Sequence, residues 1–290
     1  MSERLPVTKT YKLYINGAFP RTESGRSIKV VDGSGAVVTH TCHASRKDLR
    51  NAVEAARGAQ PKWGGANAYL RGQILYRLAE MIEGKRDELA SAIGVTGAVN
   101  ADDAAREVEA SADRLLAFAG WADKFSQVLG CHNPVTGPYY NFSVPEPTGV
   151  VGVIAPDETP LLGLVTLLAP VLCAGNAAVV LASEANPVPA CVLAEALATS
   201  DLPAGVVNVL TGRRAELIEH FASHREIGAI SAAGLDAETR RALELGAGEN
   251  LKRVRVLGED ADLAVDAVHE SAWAIEPFVE IKTIWHPVSA

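Results

Sequence analysis

The four cysteines carry the most reactive side chains in this sequence, because a thiolate can serve as a nucleophile or a metal ligand. Their spacing favours neither a disulfide framework nor a zinc site. No C-x-x-C pair occurs, and the adjacent residues Cys42 and His43 would supply only two ligands. Cys173 and Cys191 fall in apolar segments that predict buried helices, where a thiol acts as a small hydrophobic group. We therefore expect reduced cysteines and no metal, which is typical of a cytoplasmic protein.

Glycines within and beside three short β-branched runs indicate a second kind of chemistry, the binding of a nucleotide. The runs cover Val150–Ile154, 178–181 and 206–210, and two longer apolar segments separate them. This alternation predicts an α/β fold, a Rossmann-like parallel sheet with flanking crossover helices. Such a sheet favours nucleotide binding, although the fold alone does not establish it. The glycines, which permit tight turns and close backbone approach, are Gly149, Gly152, Gly175 and Gly205.

Composition argues against several classes of function. The chain has 290 residues, enough for one large domain or two modest ones, and 48% of them are hydrophobic. A net charge of −8 without a dense basic run argues against nucleic-acid or anionic-membrane partners. The longest apolar stretch, 161–173, is too short to span a bilayer, and residues 1–10 lack the apolar centre of a secretory signal. We therefore expect a cytoplasmic location.

The rest of the chain alternates between short β-prone runs and longer segments with helical spacing. Two signals mark boundaries: Asn16-Gly17 predicts a hairpin turn, and Ser45 predicts the N-cap of a helix. Strands are predicted at 11–18, 27–31, 36–41 and 227–231, and helices at 71–93, 102–129, 215–223 and 236–246.

Five motifs follow one another between residues 146 and 212. They are Gly149-Val150-Val151-Gly152, Pro156 to Pro160, Ala169-Pro170 to Gly175-Asn176, Ser183-Glu184, and Asp201 to Gly212. In residue type, order and spacing they resemble the cofactor-binding domain of the NAD(P)-dependent aldehyde dehydrogenase superfamily. Further matches occur at 119–124 and 250–254, so that the resemblance covers most of the chain. It implies a Rossmann-like cofactor-binding domain over 1–137 and 148–270.

The resemblance fails where the family does its chemistry. The oxyanion-donor Asn of the family's Pro-Trp-Asn-Phe-Pro motif corresponds to Glu158, and an ionised carboxylate has no proton to donate. The family's Lys near the ribose corresponds to Leu181, and its Ser at the pyrophosphate corresponds to Leu235. The general-base Glu of Glu-Leu-Gly-Gly has no counterpart in 256–259, and the Gly-Gln-x-Cys nucleophile loop is missing. We therefore expect no catalytic residue and no dehydrogenase activity.

Parts of a cofactor site remain. Glu184 matches the family's Glu near the adenosine ribose, and a carboxylate at a helix N-terminus is an equal alternative for it. Because Leu181 and Leu235 replace polar contacts, we expect NAD(P) binding to be weak or absent. The degenerate cofactor site is expected at Ala155, Pro156, Glu184, Gly212 and Gly234.

Two strands are expected to form oligomerisation arms, at 138–147 and 276–290. After Glu270 a full-length family member would enter its catalytic domain, whereas this sequence continues almost directly with a match to the family's C-terminal strand. We therefore expect the catalytic domain to be absent. In the family, these arms lie across the neighbouring subunit, against its catalytic domain. The alternating apolar residues expected to make that contact are Tyr140, Phe142, Val144, Val279, Ile281, Thr283 and Trp285.

Three functions stay open. The first is a non-catalytic family member, a pseudoenzyme that acts as a structural or regulatory subunit of an oligomer, with a full-length aldehyde dehydrogenase or with itself. The second is an NAD(P)-binding oxidoreductase or sensor with altered chemistry. The third is an enzyme completed by a separate polypeptide that carries the catalytic domain. Cofactor affinity separates the first two, and a partner with the nucleophile loop would favour the third.

Overall fold

A five-stranded parallel sheet forms the centre of the computed structural model, which describes residues 7–258 and 261–288. The strands are β1 (Thr10–Tyr11), β2 (Ser27–Val31), β3 (Val37–Cys42), β4 (Cys131–Asn133), β5 (Tyr139–Pro147), β6 (Val150–Ile154), β7 (Ala177–Leu181), β8 (Val207–Leu210), β9 (Ile227–Ala232), β10 (Arg253–Val256) and β11 (Val279–Pro287). The helices are α1 (Arg46–Gly64), α2 (Ala68–Gly84), α3 (Arg86–Gly94), α4 (Ala101–Trp121), α5 (Phe125–Leu129), α6 (Leu162–Cys173), α7 (Val188–Leu197), α8 (Arg214–Ser223), α9 (Ala237–Gly248) and α10 (Asp266–His269). Two 3₁₀ turns, Ala272–Ala274 and Glu276–Phe278, precede β11.

The central sheet has the strand order β10-β9-β6-β7-β8, and every neighbouring pair is parallel. The expected α/β class is confirmed, and the three predicted strands of the 146–212 segment begin within one residue of the observed ones. All residues of β6, β7 and β8 are buried, because helices cover both faces of the sheet. Gly152 is required in β6, since a Cβ there would lie 2.8 Å from the ring of Phe221 on α8.

Residues of β6, β7 and β8 enter two apolar clusters, one on each face of the sheet. Helices α1, α8 and α9 contribute Leu49, Phe221 and Leu243 to one cluster. Helices α2, α3, α4, α6 and α7 build the larger cluster on the other face. The sheet is therefore rigidly held from both sides, and the loops at its ends are positioned by buried structure.

In the N-terminal region, two predicted local features are confirmed and one strand is shorter than predicted. Asn16 and Gly17 have φ angles of 53° and 74°, as a hairpin turn requires, and Ser45 caps α1 in a reciprocal capping box with Asp48. The strand predicted at 11–18 is reduced to Thr10–Tyr11. Beyond it, Tyr14 exchanges two backbone hydrogen bonds with Val209, so this segment closes the β8 edge of the central sheet.

Both long helices predicted from apolar spacing are in fact broken. The segment 71–93 divides into α2 and α3 at Lys85, which follows Gly84 and pairs through Nζ with Glu88 at 2.6 Å and Glu195 at 3.2 Å. The segment 102–129 divides into α4 and α5 after Trp121. The apolar spacing continues across both breaks, because each pair of helices packs against the same core.

Within residues 7–258 and 261–288, no helix is long and apolar enough to cross a bilayer. In the same ranges, no three His, Cys, Asp or Glu side chains are placed to hold a metal ion together. All four cysteines are free thiols.

Candidate functional site

The carboxyl ends of β6, β7, β8 and β9 open on one side of the sheet, which we call the carboxyl edge. The chain builds β7 and β8 on one side of β6, then crosses to place β9 and β10 on the other. The topological switch point therefore lies between β6 and β9, where open α/β sheets bind ligands. The structure brings all five residues of the expected cofactor site into the loops of this edge: Ala155, Pro156, Glu184, Gly212 and Gly234.

Asp157, in the loop after β6, is the hub of a polar network at this edge. Its Oδ1 accepts hydrogen bonds from Ser183 Oγ at 2.8 Å and from the backbone amide of Glu184 at 2.8 Å. The amide of Ala185 adds a third donor at 3.1 Å. Its Oδ2 lies 2.8 Å from Nη1 of Arg214. The loops after β6 and β7 are thereby joined through one carboxylate, which sequence patterns had not singled out.

Arg214, the first residue of α8, completes this network. Its Nη2 donates to the carbonyl of Ala155 at 2.7 Å, at the end of β6. Its backbone amide donates to Glu184 Oε2 at 2.8 Å, while Glu184 Oε1 pairs with Arg213 Nη1 at 2.6 Å. Glu184 therefore acts as the carboxylate at the N-terminus of α8, where the helix dipole favours negative charge. Both of its oxygens have intramolecular partners.

A cleft of about 560 Å³ opens beside the ends of β6 and β9, next to this network. Pro156 and Glu158 line it from the β6 loop, and Gly234 lines it from the β9 loop. Gly234 has a φ of 61°, and a Cβ there would lie 3.0 Å from Pro156 Cβ and 3.1 Å from Glu158 Oε2. These two loops are therefore in close contact, and Glu158 places an exposed carboxylate at the mouth of the cleft.

The two leucines at the expected cofactor contacts belong to the core. Leu181 is 0% exposed and Leu235 is 5% exposed, and both pack in the apolar cluster beneath α8 and α9. Leu235 also borders the cleft, so an apolar side chain stands where the family places its pyrophosphate contact.

The N-terminus of α9, which points into the same edge, already holds a carboxylate. Asp236 caps the helix by accepting hydrogen bonds from Thr239 N at 2.7 Å and Thr239 Oγ1 at 3.0 Å. These hydrogen bonds lower the pKa of Asp236, so it is ionised at neutral pH. An anion that approached this helix end would meet a negative charge.

The N-terminus of α6, on the β6 side of the cleft, is capped from a distant helix. Glu107 of α4 accepts hydrogen bonds from the amides of Leu161 at 2.8 Å and Leu162 at 3.0 Å. Burial raises the pKa of Glu107, and the two amide donors oppose that shift. The free backbone amides at the N-terminus of α6 are thus also bonded within the chain. Nothing in the spacing of the sequence indicated this contact.

A second candidate surface is the three-stranded antiparallel sheet with the order β11-β5-β4, which we call the arm sheet. Strands β11 and β5 pair from Val279 opposite Pro147 to Pro287 opposite Tyr139. The two predicted arms therefore pair with each other, and β4 is a third strand that the sequence had not indicated.

The register of the arm sheet separates the expected contact residues onto two faces, because residues directly opposite each other share a face. The tryptophan face consists of Tyr139, Ile281, Thr283 and Trp285, and the phenylalanine face consists of Tyr140, Phe142, Val144 and Ile284. Ile281 is 52% exposed and Trp285 is 58% exposed, with the Tyr139 ring edge-on to Trp285 at 5.7 Å. On the phenylalanine face, Phe142, Val144 and Ile284 are half-buried, while Tyr140 is 47% exposed.

One residue of the expected contact set is unavailable to a partner. Val279 is 3% exposed and belongs to the main core, at the root of the arm. Arg253 of β10 donates to its carbonyl at 2.8 Å and pairs with Glu280 at 3.1 Å, which fixes β11 to the central sheet. Thr283 is exposed, and its hydroxyl lies 2.9 Å from the hydroxyl of Ser143.

Comparison with known proteins agrees with this architecture. The model of the aldehyde dehydrogenase family matches residues 20–268. The chain belongs to the aldehyde dehydrogenase family. It is 32% identical over 287 residues to mitochondrial benzaldehyde dehydrogenase from Antirrhinum majus, covering 91% of this chain and 52% of that protein. It is 33% identical over 282 residues to retinal dehydrogenase 2 from Mus musculus, covering 91% of this chain and 54% of that protein.

The fold of the chain is also shared with solved structures of the family. The NAD⁺ complex of an aldehyde dehydrogenase from Bacillus cereus matches it with a TM-score of 0.81 at 27% identity, covering 88% of this chain and 54% of that one. That relative binds NAD⁺. The chain spans about half the length of the curated relatives it matches.

The connection beyond β10 is anchored to the helical layer. The buried guanidinium of Arg114 donates to Thr166 Oγ1 at 2.6 Å, Leu263 O at 3.0 Å and Glu270 Oε1 at 3.1 Å. Trp121 also donates from Nε1 to the Glu270 carbonyl at 2.6 Å. Past this anchor, the two 3₁₀ turns lead directly into β11.

The cysteines of the chain lie outside the described lining of the cleft at the carboxyl edge. Cys173 and Cys191 are buried in α6 and α7, and burial raises the pKa of each thiol to about 12. Cys42 is buried at the end of β3. Cys131 is exposed in β4, on the arm sheet, and its thiol donates to Asn133 Oδ1 at 3.1 Å. A thiol that stays protonated at neutral pH is a poor nucleophile.

Proposed function

We propose that this chain is a non-catalytic member of the aldehyde dehydrogenase family and a structural or regulatory subunit of an oligomer. Its partner is a full-length aldehyde dehydrogenase. The observation that carries the proposal is the tryptophan face, where Ile281 and Trp285 are more than half exposed on a well-paired sheet. Exposed apolar groups beside the main-chain edge of β11 favour aggregation unless another chain covers them.

The carboxyl edge supports the absence of cofactor chemistry. The oxygens of Asp157 and Glu184 are already bonded to the amides and guanidiniums of neighbouring loops. A dinucleotide would have to replace these charge-assisted bonds and approach the carboxylate of Asp236. We therefore infer that NAD(P) binds weakly or does not bind.

The missing nucleophile supports the same conclusion. Two of the thiols are held protonated by burial, and Cys131 lies on the arm sheet rather than at the carboxyl edge. Glu158 takes the position that resembles the family's oxyanion donor. Loss of one such donor typically lowers turnover about 10²–10³-fold, and here several parts differ at once.

A full-length family member fits the arm sheet better than a second copy. By resemblance to the family, the arms rest on the catalytic domain of a neighbouring subunit. This chain has no counterpart of the Gly-Gln-x-Cys loop that marks that domain. In a homodimer the tryptophan face would stay open, whereas a complete family member would bury it and pair with the edge of β11.

The test of the non-catalytic assignment is NAD(P)H production by the purified chain with a panel of aldehydes. We expect no turnover above background. The matched control is Cys131→Ser, because Cys131 is the exposed thiol. Turnover by the unmodified chain that disappears on replacing Cys131, or any other of the four cysteines, would overturn the proposal.

A second candidate function is an NAD(P)-binding oxidoreductase with residual or complemented activity. The cleft of about 560 Å³ beside Gly234 favours it, because this space remains open next to the switch point. Calorimetric titration with NAD and NADP separates the two candidates. A micromolar or tighter dissociation constant would favour the oxidoreductase.

We also infer a cytoplasmic location, on the evidence of four free cysteines without any pairing. Cell fractionation followed by detection of the intact chain tests this inference. Recovery of the chain from an oxidising compartment would contradict it.

A further inference from the structure

A second, smaller cleft of about 220 Å³ lies between the first turn of α1 and the end of α8. Its lining contains no carboxylate, although the chain as a whole has 35 acidic and 27 basic residues. The polar side chains around it are Arg46, Arg50, His220, Ser223, His224 and Arg225. Positive charge is therefore concentrated locally on an acidic protein.

The arginines of this cleft are incompletely neutralised. Arg50 pairs with Glu54 at 3.4 Å, whereas Arg46 and Arg225 form no side-chain hydrogen bond or ion pair within the part of the chain that the structure describes. Arg46 and Arg50 are four residues apart on α1, so their like charges share one helix face and repel each other. Glu23, which borders a neighbouring groove with Arg46, pairs with Lys47 at 3.4 Å. An anion bound between the arginines would remove this repulsion.

The end of α8 contributes a neutral donor. The ring Nδ1 of His224 accepts a hydrogen bond from the amide of Glu226 at 3.3 Å, which leaves Nε2–H as the donor of the ring. Burial lowers the pKa of His224 and the charge of Lys252 lowers it further, while the charges of Glu226 and Glu54 oppose this shift. The net change in the pKa is downward, so the imidazole is neutral at neutral pH. The N-terminus of α1 and the C-terminus of α8 meet here with opposite dipoles. The side chains, rather than the helix ends, therefore set the charge of the cleft.

We propose that this cleft binds the phosphate group of a small phosphorylated ligand, held by Arg46, Arg225 and His224. A guanidinium fork matches the oxygens of a phosphate in geometry and charge. The cleft is smaller than the range of about 300–1,000 Å³ typical of drug-sized ligands, so it fits a phosphate on a small carrier rather than a dinucleotide. Its residues are separate from those of the carboxyl edge, and the proposal is independent of the pseudoenzyme assignment.

The test is a calorimetric titration of the intact chain with inorganic phosphate, at constant ionic strength set with sodium chloride. We expect a dissociation constant of about 1 mM or tighter. Arg46→Gln and Arg225→Gln should each weaken binding about tenfold, because each removes a charge-assisted contact. The matched control is Arg240→Gln, which removes the same charge from an exposed arginine paired with Glu244 on α9, and it should leave binding unchanged.

Thermal melting of each variant, with and without phosphate, shows that the chain remains folded. Phosphate should raise the melting temperature of the parent chain and of Arg240→Gln, and raise it less in the two cleft variants. Absence of phosphate binding below about 10 mM in the parent chain would overturn the proposal. Equal weakening by Arg240→Gln would overturn it as well, since the effect would then reflect net charge alone.

Discussion

The carboxyl edge and the arm sheet differ in how far their side chains find partners within the chain. At the carboxyl edge, Asp157, Glu184 and Asp236 are bonded within the chain, and the leucines at the expected cofactor contacts are buried. On the arm sheet, Ile281 and Trp285 stay exposed although the strands beneath them are paired. In the first region the carboxylates need no ligand to satisfy them, and only Thr159 Oγ1 and Arg214 Nε lack a hydrogen-bond partner among its described buried side-chain atoms. The second region has apolar area that water covers poorly.

This difference indicates how the two regions depend on other molecules. A polar site that is satisfied internally loses hydrogen bonds when a ligand enters, so binding has to exceed that cost. An exposed aromatic and aliphatic face gains free energy when another chain covers it. We therefore expect this chain to bind a protein more readily than it binds a nucleotide.

The largest expected effect is a contrast in thiol reactivity between the arm sheet and the buried helices α6 and α7. Cys131 on the arm sheet should react quickly with an alkylating reagent, while Cys173 and Cys191 in the helical layers should not. A pKa of about 12 rather than 9.0 lowers the thiolate fraction at neutral pH about 10³-fold, before burial restricts access further. Peptide mass spectrometry after timed labelling measures the ratio, and all four cysteines should react alike in denaturant. Native labelling of Cys173 at the rate of Cys131 would show that the core opens readily.

Cofactor affinity gives the next largest contrast. We expect calorimetry to report a dissociation constant for NAD above about 1 mM, some 10³-fold weaker than a micromolar site. Asp236→Ser sharpens the test, because serine retains the N-cap of α9 and removes the negative charge. This variant should bind NAD about fivefold more tightly if charge repulsion at the helix end contributes. Micromolar affinity in the parent chain would contradict the account.

Substitutions on the arm sheet should weaken assembly with a full-length family member. Trp285→Ala or Ile281→Asp should raise the dissociation constant about 30-fold, as expected for a central aromatic or aliphatic contact worth about 2 kcal/mol. Lys282→Ala is the matched control, because Lys282 lies on the same strand, points to the phenylalanine face and forms an exposed ion pair with Glu146. Biolayer interferometry with the immobilised partner measures all three. A loss for Lys282→Ala equal to that for Trp285→Ala would remove the tryptophan face from the interface.

The smallest predicted effect concerns the internal network of the carboxyl edge. Arg214→Gln should lower the free energy of unfolding by about 1–2 kcal/mol, because it removes hydrogen bonds to Ala155 O and Asp157 from a guanidinium that is only 15% exposed. Arg213→Gln removes a single pair from a guanidinium that is half exposed, and should cost no more than about 0.5 kcal/mol. Urea denaturation of both variants gives the comparison. If Arg213→Gln lowered the free energy of unfolding more than Arg214→Gln, the stabilising contact would belong to Arg213, and the prediction would be wrong.

The central sheet could be predicted from the sequence because strands buried on both faces form continuous apolar runs, as in β6 and β7. Local signals also sufficed for the Asn16-Gly17 turn and the Ser45 cap, where one residue determines the geometry. The break at Lys85 was hidden by continuous apolar spacing, although Gly84 followed by Asp87 and Glu88 is a stop and start signal.

The candidate site was harder to predict than the fold. Glu184 and Gly234 could be located from motif spacing, but the ion pair of Asp157 with Arg214 joins residues on different loops and depends on how those loops fold. The distribution of contact residues over two faces of the arm sheet follows from the register between β5 and β11, which the alternation within one strand does not determine. The burial of Val279 is likewise a consequence of packing against the core.

The most direct test of the central claim is the native mass of the assembly formed when this chain is co-expressed with a full-length aldehyde dehydrogenase from its own cell. We expect a mixed oligomer that contains both chains, and a reduced share of that oligomer when Trp285→Ala replaces the parent chain. A stable monomer of this chain that associates with none of the family members of its cell would rule out the proposed role as a subunit.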